Sequence, residues 1–363
     1  MPDVVAHAGA TGRLGAHPAP SGADARRHPG MVLAGRRTTA VPPAGVIAPV
    51  VPREFGGGPI VERLWQAAAR LPVGGALIGV SSADGGVGRS TTTAALGGVL
   101  ACAVSGLVLA VDATGRSWGG LTERVADGDG TVWDAVAGLN AADTNDGQNR
   151  PRVHTDLDID LDTVLGWTRR TPAGLHALVA EPQRTAQRRP PVLRETRTAV
   201  DRLHQHFSVA LLDLPAADTR PAWQSLRDVT VPILVARAAA DSLRHTQRLL
   251  AQLRAAGLGD VVDRTLLAVV ATVPNPPREA TALGRQTAEL VRRVVEVPYD
   301  PHLARPEPVD PRRTRRATRQ ALLELAAACL TRSKPSAGPS RASADATDAD
   351  APPASAAGRT ATA

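Results

Sequence analysis

Lysine, aromatic residues and cysteine are all scarce in this 363-residue chain. Lys334 is the only lysine, so arginine carries nearly all the positive charge. Trp, Tyr and Phe make up 2% of the residues, which leaves a core of Ala, Val and Leu. Two cysteines, Cys102 and Cys329, exclude a disulfide framework and a cysteine-rich metal finger. Both fall in apolar helical stretches and read as small core residues. The opening MPDVVAHAGATGRLGAHPAP lacks the uninterrupted apolar run of a secretory leader. A cytoplasmic protein is expected, peripheral to membrane or nucleoid only through partners. Residues 93–111 are apolar and long enough to span a bilayer. Gly97, Gly98 and Gly106 break that run, which reads instead as a buried helix to about Ala103, a turn, and a strand over 107–111.

The formal net charge is +7 and the isoelectric point is about 10.8. Arginine is spread along the whole chain, so the charge predicts a solvated basic surface, with weak non-specific DNA binding as a minor reading. The densest run, Arg312-Arg313-Thr314-Arg315-Arg316, reads as the solvated start of a final helix. Residues 1–58 and 333–363 are rich in small residues and Pro without periodicity and are expected to be disordered. Residues 59–332 form the expected folded domain.

Within that domain strand and helix signals alternate. Ile60, Leu64, Trp65, Ala68 and Leu71 recur at helical spacing over residues 59–71. Helices are also expected over 131–139, 192–207, 241–253 (capped by Asp241) and 318–330, with a loop over 140–151. Strands are expected over 76–80, 175–180, 209–212, 232–236, 266–271 and 294–297. Asp156, Asp158, Asp160 and Asp162 alternate with Leu157, Ile159 and Leu161, which predicts a half-buried strand with an acidic edge. His204 and His206 flank Gln205 in a helix and do not share a face, so no metal pair is read there. The alternation predicts an α/β fold: a mostly parallel sheet with helices on both faces, and a ligand at the carboxyl ends of the strands.

The most informative stretch is ALIGVSSADGGVGRSTTT, residues 76–93. An apolar strand enters a glycine turn, Gly85-Gly86-Val87-Gly88, and Arg89-Ser90-Thr91 open a helix. Backbone amides of such a loop can approach a phosphate because glycine has no Cβ. The hydroxyl of Ser90 is placed for Mg²⁺. Two further apolar strands end in an acid, at Asp112 and at Asp213. Asp213 has the arrangement that orders Mg²⁺ through its water shell.

Taken together, these segments resemble the deviant P-loop of the ParA/MinD ATPases, in a degenerate form. Asp84-Gly85-Gly86-Val87-Gly88-Arg89-Ser90-Thr91 reads against K-G-G-V-G-K-[ST]-T and differs at both lysines. Asp112-Ala113-Thr114 stands for a D-x-D whose second acid is Thr114, and Leu121-Thr122 matches a following L-T. Val297-Pro298-Tyr299-Asp300 resembles the loop beside the base, and Thr272 stands where an asparagine often contacts adenine. Residues 317–326 resemble MinD-like proteins of actinobacterial secretion or conjugation clusters. The resemblance covers residues 74–332. It implies a P-loop NTPase fold binding ATP or ADP with Mg²⁺. Gly85, Gly86, Val87, Gly88, Arg89, Ser90, Thr91 and Pro298 would hold the nucleotide. Ser90, Asp112 and Asp213 would hold the metal, the two aspartates through water and as catalytic carboxylates. It also implies a homodimer and protein partners in a membrane secretion, conjugation or partition machinery. The substitutions Asp84, Arg89 and Thr114 imply weak or no hydrolysis; a pseudo-ATPase scaffold is the alternative.

Overall fold

The computed structural model describes residues 55–116, 120–125, 128, 130–145, 159–180 and 191–331. The two tails expected to be disordered lie outside these residues, apart from 55–58. Eight strands form one sheet: β1 (Ala76–Ser81), β2 (Val108–Asp112), β3 (Arg169–Arg170), β4 (His176–Leu178), β5 (Val209–Asp213), β6 (Val231–Arg237), β7 (Leu266–Val270) and β8 (Arg293–Val297). Their order is β3-β4-β2-β5-β1-β6-β7-β8. Every neighbouring pair is parallel except β3 with β4.

Eleven helices are described: α1 (Pro59–Ala68), α2 (Arg89–Ala103), α3 (Val132–Asn145), α4 (Leu161–Gly166), α5 (Leu193–Leu203), α6 (Arg220–Arg227), α7 (Ala240–Ala255), α8 (Gly259–Arg264), α9 (Arg278–Ala288), α10 (Pro301–Ala304) and α11 (Arg316–Leu330). The period-two alternation of each strand divides the apolar side chains between two cores. Ile78, Val80, Ala110 and Leu211 pack with α1, α2 and α11. Leu77, Leu109, Ala210 and Leu212 pack with α3, α5, α7 and α8. The central strands are covered on both faces, which is why they read as unbroken apolar runs. With few aromatics, the buried volume is mostly Leu, Val and Ala, and Phe207 is the largest fully buried side chain among the described residues. Phe55, just upstream of the expected domain start, packs on Trp65 with ring centroids 5.9 Å apart.

The apolar stretch 93–111 is the helix and strand expected of it, α2 and β2. Among the described residues no helix is long and apolar enough to cross a membrane. Four local expectations need correction. Helix α3 continues to Asn145, where a loop was expected from 140. Residues 161–166 are a helix and not a strand, because Asp160 caps it: Thr163 N–H donates to Asp160 Oδ1 at 2.9 Å. Helix α7 starts at Ala240, and Asp241 sits in its first turn, paired with Arg237 at 2.9 Å. Residues 204–206 form a 3₁₀ turn in which His204 Nε2–H donates to the carbonyl of Ala76 at 3.2 Å. Residues 156–158 lie outside the described residues.

Candidate nucleotide and metal site

Strand β1 lies at the middle of the sheet, between β5 and β6. The chain leaves it into the loop 82–88 and re-enters structure at α2. Gly86 (φ 68°) and Gly88 (φ 94°) adopt the left-handed backbone region that favours glycine. Gly88 caps α2, and its carbonyl accepts from Thr92 N–H at 2.8 Å. No side chain caps the first turn of α2, and no acid stands in it. Its leading amides therefore face the loop with their partial positive charge uncompensated. Val87 turns the other way and is buried in the core.

Strands β2 and β5 are neighbours, in a register that sets Asp112 opposite Asp213. Both carboxylates are buried, Asp213 completely. Ser90 Oγ–H donates to Asp213 Oδ2 at 2.5 Å. Thr114 N–H and Oγ1–H donate to Asp112 Oδ1 at 3.0 and 2.6 Å. The other oxygen of each, Asp112 Oδ2 and Asp213 Oδ1, is buried without a partner. Burial first, and then the charge of Asp112, push the Asp213 carboxyl up to about 7. Burial also raises Asp112, against the pull of the Thr114 hydrogen bonds. Two buried carboxylates with orphaned oxygens beside a serine hydroxyl are a hard oxygen donor set that fits a divalent cation. The chain after β2 returns over this point: a Cβ on Gly120 would lie 2.8 Å from Ser90 Oγ.

The two charged positions of the loop are both engaged elsewhere. Arg89 Nη1–H donates to the Leu214 carbonyl at 2.9 Å, at the end of β5. Burial lowers its pKa, and Asp213 opposes that shift. Asp84 Oδ1 accepts from His245 Nδ1–H, on α7, at 2.7 Å. Its second oxygen is buried and unpartnered.

Beside the loop opens a cleft of about 220 Å³. Gly86, Gly88, Thr91 and Thr92 line one side; Thr272, at the end of β7, and Pro298, at the end of β8, line the other. Arg124 also reaches it, a residue that sequence reading missed. Its guanidinium donates to the carbonyls of Leu303, at 3.3 Å, and Arg305. Its only sequence signal is its place just after Leu121-Thr122. Asp300 lines the cleft as well, but both its oxygens are used, accepting from His302 N–H at 2.9 Å and Arg315 N–H at 2.7 Å. Thus Gly86, Gly88, Thr91 and Pro298 meet at the cleft, while Ser90, Asp112 and Asp213 meet at the adjoining carboxylate pair.

No protein-family model matches the chain. The ESX-1 secretion-associated protein EspI of Mycobacterium tuberculosis is 28% identical over 242 residues, which is 65% of this chain and 33% of EspI. The chain thus spans about a third of the length of the curated relatives it matches. A ParA family ATPase from Chlorobium tepidum superposes with a TM-score of 0.51 at 14% identity, over 69% of this chain and 98% of that one. The cell division ATPase MinD of Pyrococcus furiosus aligns at 21% identity over 70% of this chain and 98% of that one, with a TM-score of 0.44. The fold of this chain is that of the ParA-type P-loop ATPases.

Proposed function

We propose that this chain binds a purine nucleotide, ATP or ADP, with Mg²⁺, turns it over slowly or not at all, and serves as a regulatory subunit of a larger machinery. The observation that carries the reading is the buried pair Asp112 and Asp213, with two orphaned oxygens, beside Ser90 at the mouth of a glycine loop. Phosphates lie along the amides of residues 85–91, and the base enters the cleft against Pro298. Ser90, Asp112 and Asp213 would hold the cation, the two carboxylates through its water shell. The cation, when bound, neutralises phosphate charge. Slow turnover follows from Thr114, which supplies a hydroxyl where a second carboxylate would stand, and from Arg89, whose guanidinium is held by Leu214.

The likeness to EspI, a protein described as secretion-associated, supports a secretion setting with protein partners. The domain assigned to this task is residues 59–332, extended upstream by Phe55. Calorimetric titration of Mg-ADP into the full chain, with Ser90→Ala as control, tests the reading. Saturable binding that falls about a hundredfold or more in the variant is expected. Heat that is the same in both proteins would sink it.

A further inference from the structure

The loop carries an acid, Asp84, and three observations place it relative to the cleft. First, the cleft that takes the base is lined by Gly86, Gly88, Thr91 and Thr92, and not by Asp84, Arg89 or Ser90. On the nucleotide-binding reading, a phosphate chain would run from the cleft, along the glycines, towards Ser90 and the carboxylate pair. Second, the first residues of the loop are tied to the chain that follows β5. Ser81 Oγ–H donates to the Pro215 carbonyl at 2.6 Å, Ala217 N–H donates to the Ser82 carbonyl at 2.8 Å, and Arg89 reaches Leu214. Residues 82–84 thus lie at the end of the loop remote from the base. Third, Asp84 is locked there: Ser82 Oγ–H donates to its carbonyl at 2.5 Å, and His245 holds Oδ1, while Oδ2 stays buried with no donor.

A diphosphate ends at the glycine amides, the helix N-terminus and the cation. A triphosphate adds a further, doubly charged group at the remote end. That group would approach an acid held by the His245 imidazole, with no lysine to offset it, since Lys334 is the only lysine in the chain. Arg89 is held by the Leu214 carbonyl, and exposed Arg116 acts on Asp112 and Arg89, on the metal side. Like charges in a partly desolvated loop repel more strongly than in bulk water. From this geometry we infer that Asp84, fixed by His245, is a specificity-determining residue that makes the site selective for nucleoside diphosphates over triphosphates. The inference rests on the nucleotide-binding reading above and adds to it which nucleotide state the protein holds.

The test is to titrate Mg-ADP and a non-hydrolysable Mg-ATP analogue separately into the full chain by calorimetry, at one pH and one ionic strength. Asp84→Asn, Asp84→Ser and His245→Ala are measured alongside, with melting temperatures as a folding check. The wild-type chain should bind Mg-ADP about tenfold more tightly than the triphosphate. Either Asp84 variant should strengthen triphosphate binding, leave diphosphate binding within about twofold, and bring the ratio near one. His245→Ala, which releases the carboxylate but leaves it in the loop, should reduce the diphosphate preference without abolishing it. Equal affinities in the wild-type chain, or a preference that survives in whichever Asp84 variant folds, would overturn the inference while leaving nucleotide binding intact. No binding of either nucleotide would remove the nucleotide reading itself, and this inference with it.

Discussion

The two ends of the glycine loop differ in how they treat charge. At the cleft end the parts that work through geometry are in place: left-handed Gly86 and Gly88, uncapped amides at the start of α2, and Pro298 across the cleft. At the remote end the parts that work through positive charge are replaced or diverted. Asp84 is bound to His245 and Arg89 to the Leu214 carbonyl. A loop can keep a backbone shape suited to an anion while its charged side chains are turned to other partners.

The largest effect that would sharpen this contrast comes from the buried carboxylate of Asp213. Asp213 has its carboxyl raised from an ordinary value of 3.8 to about 7. Between those values the folded chain keeps a proton that the unfolded chain has released. The stability from this group is therefore full below about pH 4 and is lost as pH rises to about 7. Asp213→Asn should lose this part of the pH dependence and, without Mg²⁺, be more stable than the wild type at pH 8 by roughly 3 kcal/mol. Urea unfolding at pH 4 and pH 8 measures it. Added Mg²⁺ should stabilise the wild type and not the variant.

A smaller effect is expected from Arg89→Lys, which would break the comparison at the remote end. Lysine loses the planar fork that reaches Leu214 and offers a compact charge to the terminal phosphate. Triphosphate affinity should rise about tenfold, with a stability loss of about 1 kcal/mol from the missing hydrogen bond. Calorimetry and chemical unfolding on one preparation read both; unchanged triphosphate affinity would show that a freed cation at position 89 does not reach the terminal phosphate. The smallest effect is expected from Thr114→Val. It removes the 2.6 Å donor to Asp112 and keeps the 3.0 Å backbone donor. Asp112 should then hold its proton to higher pH, and Mg²⁺ affinity at pH 6 should fall about threefold. A Mg²⁺ titration followed by thermal shift would detect it.

Much of the central site is legible in the sequence because it is local. An apolar strand, a glycine turn and a hydroxyl-rich helix start are contiguous in residues 76–93, and Asp112 and Asp213 each end an apolar run. That the two acids would be neighbours required the strand order, which places β5 between β2 and β1. The Asp84–His245 contact joins residues 161 positions apart, and no local pattern announces it. Arg124 was hidden for the same reason: its partners, Leu303 and Arg305, lie beyond β8. Among the secondary-structure misses, α4 shows two signals in conflict. Alternating Asp and Leu favour a strand, and the Asp160–Thr163 cap favours a helix; the cap prevails because it satisfies an amide. Helices α6 and α9 carried readable starts, Pro221 in the first turn and Pro277 before it, but their buried faces hold mostly small side chains, Ala222, Ser225 and Leu226 in one and Ala280, Gly284 and Thr287 in the other.

The position of β1 also has a consequence for when the site comes into being. Its two partners, β5 and β6, begin about 130 and 150 residues downstream. Neither wall of the strand that carries the loop exists until that later sequence has been made. Pairings of such separation close late, after local helices have formed. On a ribosome adding roughly 5–20 residues per second, the loop waits many seconds for its frame. A chain that stops short of Val209 has the whole glycine motif and no site. Ligand binding would therefore report that synthesis and folding have run past β6, and not merely that the motif is present.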